Sequence, residues 1–585
     1  MPSFRALLFS AFSLLALTPG QVWAVECTDG ANDWIRLSAR NPEPGQSIRI
    51  KAISTEQALS EIKVVADEEA RSIASEKSEG PPWVLDAQTT VPSSGNLRIL
   101  ALRNERVVAC RDLRSPSTDR STRDGWTRAD EAFYSAWIAQ LFDAPPEKEL
   151  SFRSLEPVIR DPDRNFLYGY LGDNEDKKLP ATPDCADLPY FLRAYFAWKN
   201  ALPIAYRSCD RGSGTRPPHC SSPTIDDRLL AGSTSNAGFA QFSRKLFDVV
   251  HSGSARTAIN DNSSDFYPLA LTREALWPGT VYADPYGHTL ILVKWVKPQD
   301  GKPGLLLAAD AQPDNSVTRK RFWEGNFLFA DIAGAGPGFK AFRPIFRESG
   351  RWLIPDNEAL EREAPFGAFS NEQSHLTPDD FYARMENAMN PGGLKPLNAY
   401  ESKLNALVEQ VKTRANAVEN GEVWARSHRG TVIPMPQGSA VFETTGPWED
   451  FASPSRDMRL LIALNVVATF PESLRRHPEL YQLDHEDPST ASDEVARYHR
   501  DRIQEIHFEY RRSDESLYTL SLEQLFKRRE SLEIGYNPND CAEKRWGAIP
   551  GSEEYSTCTR TAPADQQARM EKYRPWFQSM QRPTR

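Results

Sequence analysis

Two hydrophobic patterns divide the chain. Near its beginning, apolar and polar residues alternate in short runs that are separated by turns rich in proline and glycine. The alternating runs are 34–37, 47–53, 62–65, 97–102 and 106–110. Alternation with a period of two is typical of β-strands with one buried face. Short strands at this spacing predict an all-β sandwich over residues 25–113.

The second pattern covers the last part of the chain. From residue 346 onward, apolar residues recur every three or four positions, which predicts a mainly helical region over 346–585. One helix start is well marked, because Thr377 is a good N-cap residue and Pro378 is favoured at the first helical position.

The middle of the chain combines both patterns. A helical pattern occupies 129–141, and two strongly apolar strands are predicted near 290–296 and 304–309. We therefore expect an α+β domain over 125–345, preceded by a linker at 114–124 that is rich in serine, arginine and aspartate.

The first 24 residues have the pattern of a secretory signal. Arg5 supplies the positive charge, residues 6–17 form a short apolar core, and Ala24 is a suitable small residue for cleavage. No later apolar run is long enough to span a bilayer, so stable membrane insertion is not expected. The sequence thus predicts a periplasmic or secreted protein.

Composition narrows the classes of partner. The formal net charge is −10, and basic residues form no stripe along the chain. Nucleic-acid binding normally requires such a basic surface, so we do not expect a nucleic-acid partner. No histidine or cysteine spacing matches a metal site, and we expect neither a metal nor another cofactor.

The chain has seven cysteines, an odd number. Proximity in the sequence alone suggests three disulfides among the 15 pairings that six cysteines allow: Cys27 with Cys110, Cys209 with Cys220, and Cys541 with Cys558. Cys185 would then be left as a free thiol. In an oxidising compartment a single free cysteine is either a partner for another molecule or a reactive group.

Cys185 is predicted to lie at the N-terminus of a helix. Pro183 precedes it, and apolar residues at helical spacing follow from Leu188 onward. Backbone N–H groups and the positive end of the helix dipole would favour a thiolate there and would stabilise an oxyanion. The alternative is that Cys185 is simply a small buried apolar residue.

A thiol nucleophile needs a base, and His288 is the best candidate among nine histidines. It opens an apolar strand after a turn that contains proline and glycine. If the next strand pairs antiparallel to it, Asp310 at the end of that strand returns beside His288 and orients the imidazole. Gln312 is the alternative orienting residue.

These residues resemble two known families. The alternating N-terminal strands resemble the immunoglobulin-like domains of exported bacterial proteins. Over residues 165–330 the chain resembles the papain-like superfamily of cysteine hydrolases. The segment Pro278-Gly279-Thr280-Val281 followed by Gly287-His288 is similar to the cell-wall peptidase and amidase branch. The Cys185 helix with Ala309-Asp310-Ala311 is similar to the transglutaminase-like branch.

The papain-like resemblance implies an exported cysteine peptidase or amidase. Cys185 would attack an amide carbonyl, His288 would transfer the proton, and Asp310 would orient His288. The second oxyanion donor would come from Asn165 or Tyr168. The substrate would be a peptide or another amide, with cell-wall peptides as one candidate. The alternatives are a transglutaminase-like acyl transferase and a non-catalytic scaffold with a degenerate hydrolase core.

Overall fold

The computed structural model divides the chain into two compact units, residues 1–120 and 121–585. It describes residues 27–66, 69–113, 125–172, 174–227, 235–299, 301–312, 315–330, 332–444 and 446–583. The predicted signal (1–24) and the predicted linker (114–124) lie outside these ranges. The second unit contains both the predicted catalytic domain and the predicted helical region.

The described residues of the first unit form eight strands in two antiparallel sheets. The strands are β1 Asp33–Leu37, β2 Ser47–Ser54, β3 Glu61–Ala66, β4 Glu69–Ile73, β5 Ser75–Ser78, β6 Trp83–Thr90, β7 Leu97–Arg103 and β8 Arg106–Asp112. Their order is β1-β2-β6-β5 in one sheet and β4-β3-β7-β8 in the other. Ile50 from the first sheet and Ile99 from the second belong to one apolar core and are fully buried. The predicted all-β pattern is therefore confirmed at the level of antiparallel sheets.

A seven-stranded antiparallel sheet organises the second unit. Its strands are β9 Ser151–Phe152, β12 Phe266–Pro268, β13 Val281–Ala283, β14 Thr289–Val296, β15 Leu305–Ala311, β16 Val317–Arg321 and β17 Gly338–Phe342. The order is β12-β17-β13-β14-β15-β16-β9. The predicted antiparallel pairing of β14 with β15 is confirmed, with Ile291 opposite Ala309.

Three two-stranded ribbons complete the β structure of the described residues. They pair β10 Ile204–Tyr206 with β11 Thr224–Asp226, β18 Phe346–Glu348 with β19 Arg351–Leu353, and β20 His507–Arg511 with β21 Leu517–Ser521.

Helices pack around the sheet and then dominate the rest of the chain. In the first half they are α1 Arg128–Leu141, α2 Glu156–Ile159, α3 Asp187–Asn200, α4 Asn236–Phe247 and α5 Ser252–Ala255. In the second half they are α6 Asn357–Arg362, α7 Pro378–Met389, α8 Pro396–Ser427, α9 Pro447–Phe451, α10 Pro454–Ala468, α11 Phe470–Arg476, α12 Pro488–Glu505, α13 Leu522–Lys527, α14 Arg529–Leu532, α15 Ala542–Arg545 and α16 Ala564–Gln578. The helical C-terminal region is confirmed, and Thr377 caps α7 as predicted. Among the described residues, no helix is long and apolar enough to cross a membrane.

Helix α3 is buried on all sides and presents its N-terminal end to the sheet. Every residue from Leu188 to Asn200 is buried. Its one arginine, Arg193, forms a double hydrogen bond at 2.6 Å with the buried carboxylate of Glu131 in α1. The guanidinium also stacks over Trp126, 3.2 Å from the ring centroid. These contacts fix the helix whose N-terminal end carries Cys185.

A buried ion pair joins α8 to α10. Arg414 and Asp457 are 1% and 0% exposed. Two parallel hydrogen bonds of 2.9 Å connect the guanidinium to the carboxylate. Arg414 also donates to the carbonyl oxygen of Arg545, which ties α15 to the same pair. The ion pair thus holds helix α10, whose Arg459 contacts Asp284 in the turn between β13 and β14.

We expect Asp457→Asn to lower the free energy of unfolding by roughly 3–5 kcal/mol, because Arg414 is left as an unpaired buried charge. Urea denaturation measures the change. Asp493→Asn is the matched control, since it breaks an Arg475–Asp493 pair that is exposed on both sides and is expected to cost less than about 1 kcal/mol. Equal stability of the two variants would contradict the assigned role of the buried pair.

Candidate functional site

His288 follows a tight turn between β13 and β14. Asp284 organises the turn: its carboxylate accepts from the N–H of Tyr286 at 2.7 Å, and its own N–H donates to the carbonyl oxygen of His288 at 2.8 Å. Gly287 has a φ of +110°, a conformation that favours glycine. The turn therefore fixes the backbone of His288 before any side-chain contact is made.

The imidazole of His288 contacts Asp310 as the sequence predicts. The distance from His288 Nε2 to Asp310 Oδ2 is 2.7 Å. An ionised carboxylate only accepts, so Nε2 carries the proton and Nδ1 is the nitrogen left to act as a base. Burial lowers the pKa of His288, and the charges of Arg459 and Lys320 lower it further against the contribution of Asp310. His288 is therefore neutral near pH 7.

Asp310 is completely buried and surrounded by donors. Besides His288, its Oδ2 accepts from Gln312 Nε2 at 2.7 Å and from Lys320 Nζ, and its Oδ1 accepts from Thr318 at 2.6 Å. Burial alone would raise the pKa of this carboxyl, but Lys320 and His288 hold it well below its usual range. Asp310 thus remains ionised despite its burial.

The sheet register explains why these donors meet. Thr318 in β16 lies directly opposite Asp310 in β15. Lys320 lies two residues further along β16, where residues two apart share a face of the sheet, and Gln312 follows directly after the last residue of β15. Gln312, the alternative orienting residue, thus donates a hydrogen bond to Asp310, and it is Asp310 that contacts His288.

Cys185 lies beside this pair. It is the free cysteine among the described residues and is half-buried. The hydroxyl of Thr289, the residue after His288, donates to the carbonyl oxygen of Cys185. The structure therefore places the backbone of Cys185 against Thr289, the residue after His288, while His288 itself contacts Asp310.

The electrostatics of Cys185 differ from the sequence-based expectation. Burial, followed by the charges of Asp184 and Asp310, raises the pKa of the Cys185 thiol well above its ordinary value. Burial is the largest cause, and the second is local: Asp184 accepts from the N–H groups of Ala186 and Asp187 at 2.8 and 3.0 Å. A carboxylate therefore occupies the helix end that was expected to stabilise a thiolate. The resting group is a neutral thiol.

Asp187 responds to the same crowding of negative charge. Burial and the charge of Asp184 raise the pKa of Asp187 to about 8. At neutral pH its carboxyl is therefore mostly protonated, so it does not act as the charged partner of the helix dipole that its position in the first turn suggests.

Asn165 has a different role from the one predicted. Its amide donates to the carbonyl oxygen of Ile159 and to the hydroxyl of Tyr195, both at 2.8 Å, and its oxygen accepts from Trp137 Nε1 at 2.9 Å. Both amide hydrogens are thus used inside the core, so Asn165 has none to offer an oxyanion. Tyr168, the other candidate, is half-buried in the turn that follows Asn165.

Sequence reasoning missed the positive groups around the site. Lys320 contacts Asp310 directly. Arg459 in α10 donates to the buried carboxylate of Asp284 at 3.0 Å and lowers the pKa of His288. Arg456, one helical turn earlier, lowers the pKa of Lys320. The alternation of Thr318 and Lys320 and the three-residue spacing of the arginines are the signals that would have identified them.

All three predicted disulfides are confirmed: Cys27–Cys110, Cys209–Cys220 and Cys541–Cys558. They are consistent with a chain that folds in an oxidising compartment. Among the described residues, one cluster has the geometry of metal ligands, namely Cys541, Glu543 and Cys558. Its two sulfurs are bonded to each other, so they are not available as thiolate ligands.

Comparison of the chain with protein-family models, curated proteins and solved structures found no match. The papain-like resemblance therefore depends on the residues and geometry described above.

We expect Lys320→Met to raise the pKa of His288 by roughly one pH unit, because it removes a positive charge and leaves Asp310 free to stabilise the imidazolium. NMR titration of the His288 ring measures this pKa. Lys294→Met is the control, since Lys294 in β14 pairs instead with Asp143, which follows α1. A pKa of His288 that stays constant or falls would show that Lys320 does not tune the pair.

Proposed function

We propose that the protein is a cysteine hydrolase that cleaves amide bonds with Cys185, His288 and Asp310. The observation that carries the proposal is the buried Asp310 carboxylate bonded to His288 Nε2, with Cys185 held next to the same strand by Thr289. The nucleophile, the base and the orienting acid thus come from three separate elements. Such convergence is the geometric signature of a catalytic triad.

The charge states favour a general-base mechanism. With a neutral thiol and a neutral imidazole, His288 Nδ1 accepts the thiol proton as Cys185 Sγ attacks the carbonyl carbon. The ionised Asp310 stabilises the imidazolium that forms. The proton then passes to the leaving amine as the C–N bond breaks, and water hydrolyses the resulting thioester. The N–H of Cys185 would provide one oxyanion donor.

The finer classification belongs to this proposal. The central region would be papain-like, and the N-terminal sheets would be immunoglobulin-like. The substrate would be a peptide amide. Cell-wall peptides are the candidate, because the predicted signal would export the protein to the compartment that holds them. Aspartate rather than asparagine as the orienting residue favours the transglutaminase-like branch, in which an amine replaces water as the acceptor of the acyl group.

One observation favours the non-catalytic alternative. The raised pKa of the Cys185 thiol means that it is not a preformed thiolate. A scaffold with a degenerate hydrolase core would show the same neutral cysteine. The hydrolase and scaffold hypotheses differ in whether His288 activates the Cys185 thiol.

We expect iodoacetamide to alkylate Cys185 in the folded, non-reduced protein, and His288→Ala to slow the reaction by at least about tenfold, because general-base assistance is lost. The other six cysteines are in disulfides, so mass spectrometry follows a single site. His375→Ala, at an exposed position away from the site, is the matched control. Equal alkylation rates in the two variants would exclude activation by His288 and favour the scaffold.

The pH dependence of alkylation gives a second test. Because the pKa of His288 is lowered, the neutral base persists below the ordinary histidine value of about 6.5. The rate should therefore rise with pH and reach half of its plateau below that value. An ascending limb centred near the free-thiol value of about 8.5 would instead indicate an unassisted cysteine.

A further inference from the structure

A cavity of about 140 Å³ adjoins the turn that carries His288. Pro285 and Tyr286 from that turn form one wall. Two other walls come from distant parts of the chain, namely the loop closed by the Cys209–Cys220 disulfide and the segment around Arg582. The cavity does not include Cys185, His288 or Asp310 in its lining, so it is distinct from the proposed catalytic residues.

Arg256 gives the cavity its most informative group. Its side chain is 5% exposed and donates to the carbonyl oxygens of Ser252 and Pro285 at 3.4 and 3.2 Å. Its Nη2 is buried and has no hydrogen-bond partner. A buried N–H of a charged group without an acceptor is unfavourable, and such groups normally have one. Arg256 thus lines the cavity and has one buried N–H group without an acceptor.

Two further arginines line the same space. Arg582 donates to the carbonyl oxygen of Tyr286 at 3.3 Å and stacks over the Tyr286 ring. Burial lowers the pKa of Arg582 to about 10, so it remains charged at neutral pH. Arg211 is exposed on the disulfide loop, and its charge lowers the pKa of Arg256.

The disulfide loop is held closely against the cavity. A Cβ atom on Gly334 would come within 2.4 Å of the carbonyl oxygen of Ser213, so only glycine allows this approach. Ser213 and Gly334 both line the cavity, as does Arg211. Arg211 is therefore carried by a loop with two anchors, the disulfide and the Gly334 contact.

The charge balance of the lining is positive. The described residues that line the cavity include three arginines and one acidic residue, Glu443, which lies 3.5 Å from Arg582 Nη1. Asp284 influences Arg256 and Arg582, but its carboxylate is hydrogen-bonded to Arg459. The lining itself therefore carries more positive than negative charge.

We propose that this arginine pocket, formed by Arg211, Arg256 and Arg582, binds an anionic group of the substrate, either a carboxylate or a phosphate. Guanidinium groups suit both anions because they donate two parallel hydrogen bonds. Since Tyr286 lies two residues from His288, the anion would bind next to the site of amide cleavage. The assignment of this anion to a substrate rests on the proposed hydrolase function, whereas the binding of an anion does not.

The test measures anion affinity in the full chain with Cys185→Ser, which removes the proposed chemistry. Inorganic phosphate and succinate are titrated by calorimetry, with the ionic strength held constant by chloride. We expect saturable binding of at least one anion. Arg211→Gln should weaken it about tenfold, the loss expected for one charged contact. Arg256→Lys should also weaken the binding, because lysine keeps the charge but has a single terminal nitrogen and cannot donate two parallel hydrogen bonds. Whichever of the two anions binds more tightly identifies the bound group as a phosphate or a carboxylate.

Arg429→Gln is the matched control, since Arg429 is exposed and outside the pocket. The proposal is overturned if neither anion binds saturably, or if both pocket variants retain the affinity of Arg429→Gln. Binding that depends on Arg211 and Arg256, combined with alkylation of Cys185 that is independent of His288, would retain the anion site and reject the hydrolase. The two proposals can therefore fail separately.

Discussion

The buried charge of Asp310 is the constraint around which the second unit is arranged. An ionised carboxylate inside a protein is stable only when hydrogen bonds and opposite charge replace the water it has lost. Four side chains provide this: His288 just before β14, Gln312 just after β15, and Thr318 and Lys320 in β16. The order and register of these strands are therefore inseparable from the charge state of His288. Burial raises the pKa of Cys185, and the charges of Asp184 and Asp310 raise it further, so the resting site is a neutral pair.

The helical C-terminal region participates in this electrostatic arrangement. Arg459 reaches from α10 to the carboxylate of Asp284, within the turn that carries His288. Arg456 on the same helix lowers the pKa of Lys320. Arg582, near the end of the described chain, donates to the backbone carbonyl oxygen of Tyr286. The buried Arg414–Asp457 pair holds α10 in position. These contacts give the region a role that its helical periodicity did not suggest.

Much of the site could be predicted because local rules apply to it. An odd cysteine count isolates Cys185, and proline before an apolar helical pattern places it at a helix start. Antiparallel pairing of consecutive strands returns Asp310 to His288. Other parts depend on competition between neighbours. No role was predicted for Asp184, yet its carboxylate accepts from the N–H groups of Ala186 and Asp187. Asn165 was proposed as a donor, yet the core around Trp137 and Tyr195 uses its hydrogens first.

The sequence by itself determined the pattern of sheets and helices, the three disulfide pairs and the approach of His288 to Asp310. Each of these follows from periodicity, turn residues, cysteine arithmetic or the pairing of adjacent strands. Only the tertiary structure decided the charge states. The pKa of Cys185, His288 and Asp310 depends on burial and on groups as distant along the chain as Lys320 and Arg459. Electrostatic interactions act through space, and the distances that set them exist only once the chain has folded.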